Sequence, residues 1–503
     1  MDEPLDVVVV GAGIAGLTAA ALVARSGLAV ELLEAHHQSG GCAGTFRRGP
    51  YTFDVGATQV AGLEPGGSHA RLFRHLGVPL PEATPLDPAC VVHLSGGGEP
   101  VRLWRDPQRW RQERQRQFPG SEPFWRLCAR LHRANWAFAA GDPVLPPRSP
   151  WDLAQTLRAL GPANLASGLL ASATVADLLR WSGCGGDPRL RRFLDLQLRL
   201  YSQEPADRTA ALYGATVLAV AQEPLGLWHL QGSMQALSRR LEEALTAAGG
   251  RLRLRHRLTG LRRAASGLWE LEVSAGRERT RRRLQGRDVV LAIPPQGLPE
   301  LLGDQLPRGY RRRLAGLGDP SGALVFYGAV PRPALPAGLP AHLQFEQGSP
   351  GPLFVSVSEE GDGRAPAGQA TLIASVFTAA RPWFALEGAA YGAAKAQAQA
   401  SIQQGLEQGL GLVAAQAWLH AELATPRGFA RWTSRPYGFV GGLGQRPRCF
   451  GPFGLASRTP LPGLWLCGDA IHPGEGTAGV SLSALTACRQ LLQRRGRALE
   501  LRA

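Results

Sequence analysis

Gly11, Gly13 and Gly16, with Glu34 eighteen residues after the last of them, have a spacing that specifies a chemistry. In Gly11-Ala12-Gly13-Ile14-Ala15-Gly16 the first glycine permits a tight turn. The second lets backbone approach a pyrophosphate, and the third lets a helix pack closely on a strand. The amides that open such a helix favour an anion. A carboxylate at the position of Glu34 accepts hydrogen bonds from a ribose diol. No arginine directly follows Glu34, which argues against a 2′-phosphate and leaves NAD or FAD.

The flanking elements put these residues in register. Asp6 to Val10 is a short β-branched apolar run, as in a buried parallel strand. Leu17 to Ser26 is Ala/Leu-rich and uncharged until Arg25, Gly27 ends it, and Leu28 to Leu33 supplies a second strand that delivers Glu34. A second glycine cluster, Gly40-Gly41-Cys42-Ala43-Gly44-Thr45, precedes Tyr51-Thr-Phe53-Asp54-Val-Gly56-Ala57. A nicotinamide enzyme has no need of it. An extended FAD does, because a second flexible segment must pass its pyrophosphate, ribityl chain and ring.

Here the chain resembles the FAD-dependent amine oxidase and phytoene desaturase superfamily, which carries such a doublet after the ribose acid. The family often places arginine before the doublet and Arg or Lys after it, where this chain has Gln38-Ser39 and Cys42. Contacts to the phosphates are therefore expected from backbone at Gly11, Ala12, Gly13, Ala15, Gly16, Gly40 and Gly41, with Thr45, Gly56 and Ala57 along the cofactor. The segment Gly468-Asp469-Ala-Ile-His-Pro473-Gly474-Glu-Gly476-Thr-Ala-Gly479-Val480, after the apolar Leu464 to Cys467, also matches. The resemblance implies Asp469 at the ribityl-pyrophosphate region, the helix start at Gly479-Val480 against flavin N1/O2, and Leu258 at the adenine half.

Thr425-Pro426, Arg431-Trp432-Thr433, Phe53 to Gln59, Phe118-Pro119-Gly120 and Leu230 to Met234 look like the carotenoid desaturase branch, and especially the C-3′,4′ carotenoid desaturases. Carotenoid isomerases share the Gly-Gly-Cys-Ala stretch. The resemblance implies an FAD-dependent desaturase that passes hydride from an allylic carbon to flavin N5, while a base or water takes the neighbouring proton. Dioxygen or a membrane quinone would reoxidise the flavin. Cis–trans isomerisation is the alternative, and a non-catalytic escort of the same fold is the third reading. No catalytic residue is assigned, and His472 is expected to pack or bond locally.

At 503 residues, 44% hydrophobic and 19% charged, the chain has room for two or three domains. Its formal charge is +15, carried almost wholly by arginine, since Lys395 is the sole lysine. Such an excess implies an anionic partner. No nucleic-acid module interleaves aromatics with the arginines, so an anionic membrane surface is expected and nucleic acid is not. From 159 to 176 there is no charge, yet Gly161, Pro162, Asn164 and Ser167 break the run too often for a spanning helix. The segment either packs inside or dips into a bilayer surface, with Arg158 and Arg180 at its flanks. Seven cysteines without metal-type spacing support neither a disulfide framework nor a metal site. The N-terminus lacks the basic region of a signal peptide, so a cytoplasmic, peripheral location is expected.

The expected fold class is α/β. A Rossmann-type FAD-binding domain with a parallel sheet and helices (1–65, 225–315 and 436–503) is interleaved with an α+β substrate domain carrying a mixed or antiparallel sheet (66–224 and 316–435). Residues 58 to 100 read as irregular, Asp106 to Arg116 as a capped basic helix, Arg251 to Leu258 as one strand, and Tyr391 to Leu410 as a helix.

Overall fold

The computed structural model describes residues 3–412 and 418–501. Strand β1 (Leu5–Val10) runs into helix α1 (Ile14–Arg25) and then strand β2 (Val30–Leu33). From Ile14 to Ala24 every α1 residue is buried, which explains its lack of charge: a helix covered on all sides tolerates no solvated face. It lies between the helix Gln235–Ala247 and the C-terminal helix α2 (Thr477–Arg494), each contributing buried leucines to the shared core.

The first sheet sets Arg251–Arg253, β2, β1, Thr280–Leu291 and strand β3 (Leu464–Leu466) side by side, all parallel. Thr280–Leu291 has two characters. Its C-terminal half is buried between β1 and β3, while its arginine-rich N-terminal half leaves the core as the outer strand of an antiparallel meander with Trp269–Ala275 and His256–Arg263. The alternation from Arg251 to Leu258 is thus two strands rather than one. Arg255, at φ 58°, turns the chain between a parallel partner of β2 and the first meander strand.

A second seven-stranded sheet takes His420–Ala424, Gly322–Pro331, Gln369–Thr378, Leu353–Val357, His342–Phe345, Val91–His93 and Val101–Arg102 in that order. Its pairings are antiparallel except between His342–Phe345 and Val91–His93. The helix Gly388–Leu410 covers it with Ala398, Ile402, Leu406 and Leu410, one apolar residue per turn. Residues 58–100 are not irregular throughout: they hold the helix Ser68–Leu76 and short strands, each with a pairing partner distant in sequence and Val91–His93 also with the nearby Val101–Arg102. The basic helix Pro107–Gln117 forms as read, with the Asp106 carboxylate accepting from the Arg109 amide at 2.7 Å.

A buried ionic cluster ties a loop of the second sheet to the segment after the second glycine cluster. Arg364 donates to Asp54 Oδ2 at 3.0 and 3.2 Å and to Asp362 Oδ2 at 2.9 Å. The other oxygen of Asp54 accepts from Thr45 Oγ1 at 2.9 Å and from the Met234 amide at 2.8 Å. One carboxylate therefore fixes the second glycine segment, the start of helix Gln235–Ala247 and a loop of the second sheet. The paired charges and satisfied oxygens offset much of the desolvation cost of burying them.

Candidate functional site: a cavity between two glycine loops and two helix starts

The β1–α1 turn is shaped by close approach. Gly11 sits at φ 95°, and a Cβ on it would meet Ala292 O at 2.8 Å. A Cβ on Gly16 would fall 1.7 Å from Gly11 O, so only glycine lets α1 close on the turn. Gly13 differs: a Cβ there meets no protein atom within 4 Å, because the position opens on a cavity. The second glycine loop folds against the first, with Gly40 N donating to Ala12 O at 2.8 Å.

The cavity has a volume of about 2300 Å³, above the usual range of roughly 300 to 1,000 Å³ for a single small-ligand pocket. Gly11, Gly13, Ala15, Glu34, Gly40, Gly41, Thr45, Gly56, Ala57, Leu258, Gly468, Asp469, Gly479 and Val480 all line it. Ala12 and Gly16 stand behind the lining. Ala12 acts through its amide, which donates to Glu34 Oε2 at 2.7 Å, and Gly16 through helix packing.

Glu34 Oε1 accepts from the His36 amide at 2.7 Å, so the carboxylate is aimed by two backbone donors while its remaining lone pairs face the cavity. Burial raises its pKa, and the backbone N–H groups around it and the charge of Arg257 work against that rise. Leu258 is on the strand whose first residue, His256, donates its amide to the backbone carbonyl of Glu34 at 2.7 Å, and it lines the same cavity. Gln38, where related chains often have arginine, donates to Thr45 O at 2.7 Å and to Gln235 Oε1 at 2.8 Å. It holds the loop and brings no charge.

One cation at this site is a residue that spacing did not reveal. Arg435 Nη2 lies 2.8 Å from both Asp469 Oδ2 and Gly441 O, and its charge also reaches Cys42. Burial opposes the charge of Arg435, and Asp469, with Cys42 and Glu475, outweighs it and raises the pKa. Two further groups missed in sequence share this end of the cavity. Gln203 Nε2 donates to Glu475 Oε2 at 2.6 Å, and the Gly442 amide reaches the same oxygen at 3.2 Å. His472 lies nearby, its pKa pushed down to about 4 by burial. The first turn of α2 opens on the cavity at Thr477 to Val480, with no side chain capping its amides.

Two uncapped helix starts, a carboxylate with free lone pairs at one end and an Asp–Arg pair at the other fit an extended dinucleotide of the FAD type. The glycine cradle supplies the close backbone approach such a ligand needs. Among the described residues no cluster of His, Cys, Asp and Glu is arranged to hold a metal ion.

This fold and site define a flavin-dependent oxidoreductase. The family model described as flavin containing amine oxidoreductase matches residues 14–492, and the chain belongs to that family. Wild-type putrescine oxidase, solved with putrescine, is similar in structure, with a TM-score of 0.65 and 20% identity over 98% of this chain and 99% of that one. Cyclohexylamine oxidase of Brevibacterium oxydans gives a TM-score of 0.62 at 18% identity, over 98% of this chain and all of that one. Among curated proteins, all-trans-retinol 13,14-reductase of Danio rerio is 27% identical over 50% of this chain and 42% of its own length. The 4,4′-diapolycopene oxygenase of Methylomonas is 26% identical over 49% and 48%. The chain thus spans under half the length of these two relatives. Prolycopene isomerase 2 of an Oncidium hybrid is 41% identical over 13% of this chain and 11% of its own.

Proposed function

We propose that the protein is a carotenoid desaturase that uses FAD, takes its substrate from an anionic membrane surface and performs C-3′,4′ desaturation of a hydroxylated acyclic or monocyclic end group. The observation that carries this reading is where the cavity leads. From the glycine loops it continues to Trp136, Phe138, Ala139 and Ala171, beside two helices whose amphipathicity is inverted. In Pro150–Ala159 the polar Asp152 and Thr156 are buried while Leu153 and Leu157 are exposed. In Pro162–Gly168 the buried pair is Asn164 and Ser167, and Leu165 is 66% exposed, followed by Leu169 at 84%. Leucines turned outward beside the mouth of a large cavity suit an acyl-chain environment. Among the described residues no helix is long and apolar enough to cross a membrane, so the contact is a surface one.

In this reading residues 1–65, 225–315 and 436–503 hold FAD, and 66–224 with 316–435 enclose the substrate. Gly13 and the first turn of α1 face the pyrophosphate, Glu34 the ribose diol, Leu258 the adenine half, and the Asp469–Arg435 pair the ribityl-pyrophosphate region. The start of α2 favours negative charge on the reduced ring. Bound FAD supplies the hydride acceptor, and dioxygen or a quinone the final oxidant. The protein's own contribution is positional: it excludes water and holds an unactivated C–H bond in place. The relatives named for retinol, diapolycopene and prolycopene share a conjugated isoprenoid in those names, which supports a polyene substrate.

A second reading, cis–trans isomerisation of a carotenoid, is favoured by the Gly-Gly-Cys-Ala loop and the short, higher-identity match to prolycopene isomerase. Product mass separates the two. Flavin-loaded protein incubated in liposomes with a hydroxylated monocyclic carotenoid should give a product lighter by two hydrogens. An unchanged mass with shifted absorption would sink the desaturase reading.

A further inference from the structure

Dehydrogenation needs a destination for a proton, and of the carboxylates lining the cavity Glu64 and Glu475 each have a buried oxygen without a hydrogen-bond partner, Glu475 at the Asp469 end. His472 is kept neutral by burial, which depresses its pKa to about 4 and makes it a weak base. Tyr213 lines the cavity, but its hydroxyl donates to Tyr201 O at 2.6 Å and burial holds its pKa far above the usual phenol range. Cys42 is likewise pushed upward. Asp469 is committed to Arg435. Glu475 is different. It lines the same cavity on the loop between Asp469 and α2, with Oε2 held by Gln203 and Gly442 while Oε1 has no hydrogen-bond partner.

The geometry points to Glu475 as the catalytic base of the reaction, accepting at Oε1 the proton that leaves the substrate carbon next to the one losing hydride. The role rests on the desaturase reading. One C–H bond breaks with its electron pair going to the flavin as hydride. On the adjacent carbon a second C–H bond breaks, its electrons become the new π bond, and its proton forms an O–H bond on the carboxylate. The substrate loses one hydride and one proton, together two protons and two electrons, and Glu475 is left neutral until it returns the proton to solvent.

The surroundings tune such a base. Burial is the main influence and raises the carboxyl to about 8; the hydrogen bonds from Gln203 and Gly442 and the charge of Arg435 oppose the rise, and the charge of Asp469 adds to it. Tyr213 is the other titratable group facing it. A base poised near the working pH combines adequate basicity with a usable ionised fraction. Gln203 reaches Glu475 from the end of the helix Pro188–Ser202 at φ 60°, so a group otherwise outside the glycine loops aims this carboxyl.

The test is anaerobic flavin reduction by a carotenoid in liposomes, followed in single turnover across pH, in wild type, Glu475→Gln and Glu475→Asp. Substrate-free infrared titration of each protein tracks the carboxyl. Wild-type reduction should rise through pH 8 and level off above it. Glu475→Gln should retain FAD, lose the infrared titration near pH 8, and reduce its flavin on the order of a hundredfold more slowly with a flat profile, and Glu475→Asp should recover part of the rate. FAD-loaded Glu475→Gln working within about threefold of wild type, or a titration that persists in it, would overturn the role alone. Wild-type flavin that no carotenoid reduces would instead sink the desaturase reading, and the role with it.

Discussion

Arg435 Nη2 and Asp469 Oδ2 are 2.8 Å apart, joining a residue before the Gly438–Gly442 turn to the loop that enters α2. Both side chains are largely buried, so neither charge is free to be lost alone. Removing one partner leaves the other as an uncompensated charge at the cavity wall, at a cost of about 3 kcal/mol. Arg435→Met and Asp469→Asn should each show that loss in chemical denaturation, and each should bind FAD more weakly by flavin fluorescence. In the double variant the stability losses should fall short of their sum by about 1 kcal/mol or more. Strict additivity would mean the pair is not a unit.

Gly13 and Gly16 should fail in opposite ways. Gly13→Ala places a methyl in open cavity and meets no protein atom, so the apoprotein should melt as wild type does while FAD binding falls sharply. Gly16→Ala drives a methyl to 1.7 Å from Gly11 O and must push α1 from β1, so the fold itself should weaken before any ligand is added. Calorimetry of both apoproteins beside FAD titration decides it. Equal melting with equal FAD loss would refute the division of labour.

What could be read without coordinates was whatever lies close together in the chain. β1, α1, β2 and Glu34 form one contiguous unit whose apolar runs and glycines carry their own geometry, and α2 announces itself by a glycine-rich start. Arg435 and Gln203 could not be found that way. Gln203 reaches Glu475 across 272 positions and Arg435 reaches Asp469 across 34, with no periodicity linking either pair. Thr280 to Arg287 escaped as a strand because its exposed meander half is almost all polar, a pattern shared with loops. The uncharged run from 159 to 176 is ambiguous for a related reason: burial and surface insertion use the same leucines, and only the placement of Asn164 and Ser167 tells which side of Pro162–Gly168 faces in.

Acid should destabilise the protein through its buried histidines. Burial lowers His69 to about 4, His342 to about 3 and His472 to about 4. Below the ordinary histidine value of about 6.5 the unfolded chain binds protons that the folded chain refuses, so stability falls as pH drops from there toward 4. Each histidine contributes a slope of about 1.4 kcal/mol per pH unit within that window. His69→Gln removes one such group, whose ring bridges Ala61 O at 2.9 Å and Ser481 Oγ at 3.2 Å. The variant should start less stable at pH 7 yet lose less between pH 7 and 5 in denaturant titrations. A loss as steep as that of wild type would exclude His69 from the effect.

The outward leucines give a membrane prediction that is separable from folding. Leu165 and Leu169 are exposed, so replacing both with glutamate should change stability by no more than about 0.5 kcal/mol per site. In the bound state the same changes would put two carboxylates where acyl chains are expected, beside Arg158 and Arg180 at the flanks. Flotation with anionic liposomes should therefore be abolished in Leu165→Glu/Leu169→Glu. It should only be weakened in Arg158→Glu/Arg180→Glu, because each cation near an anionic surface is worth about 1 kcal/mol and salt screens it. Arg180 also pairs with Asp177, which lessens its share. If the leucine variant floats as wild type does, the inverted helices do not dock on lipid, and the way into the cavity beside Trp136 must serve a substrate delivered by other means.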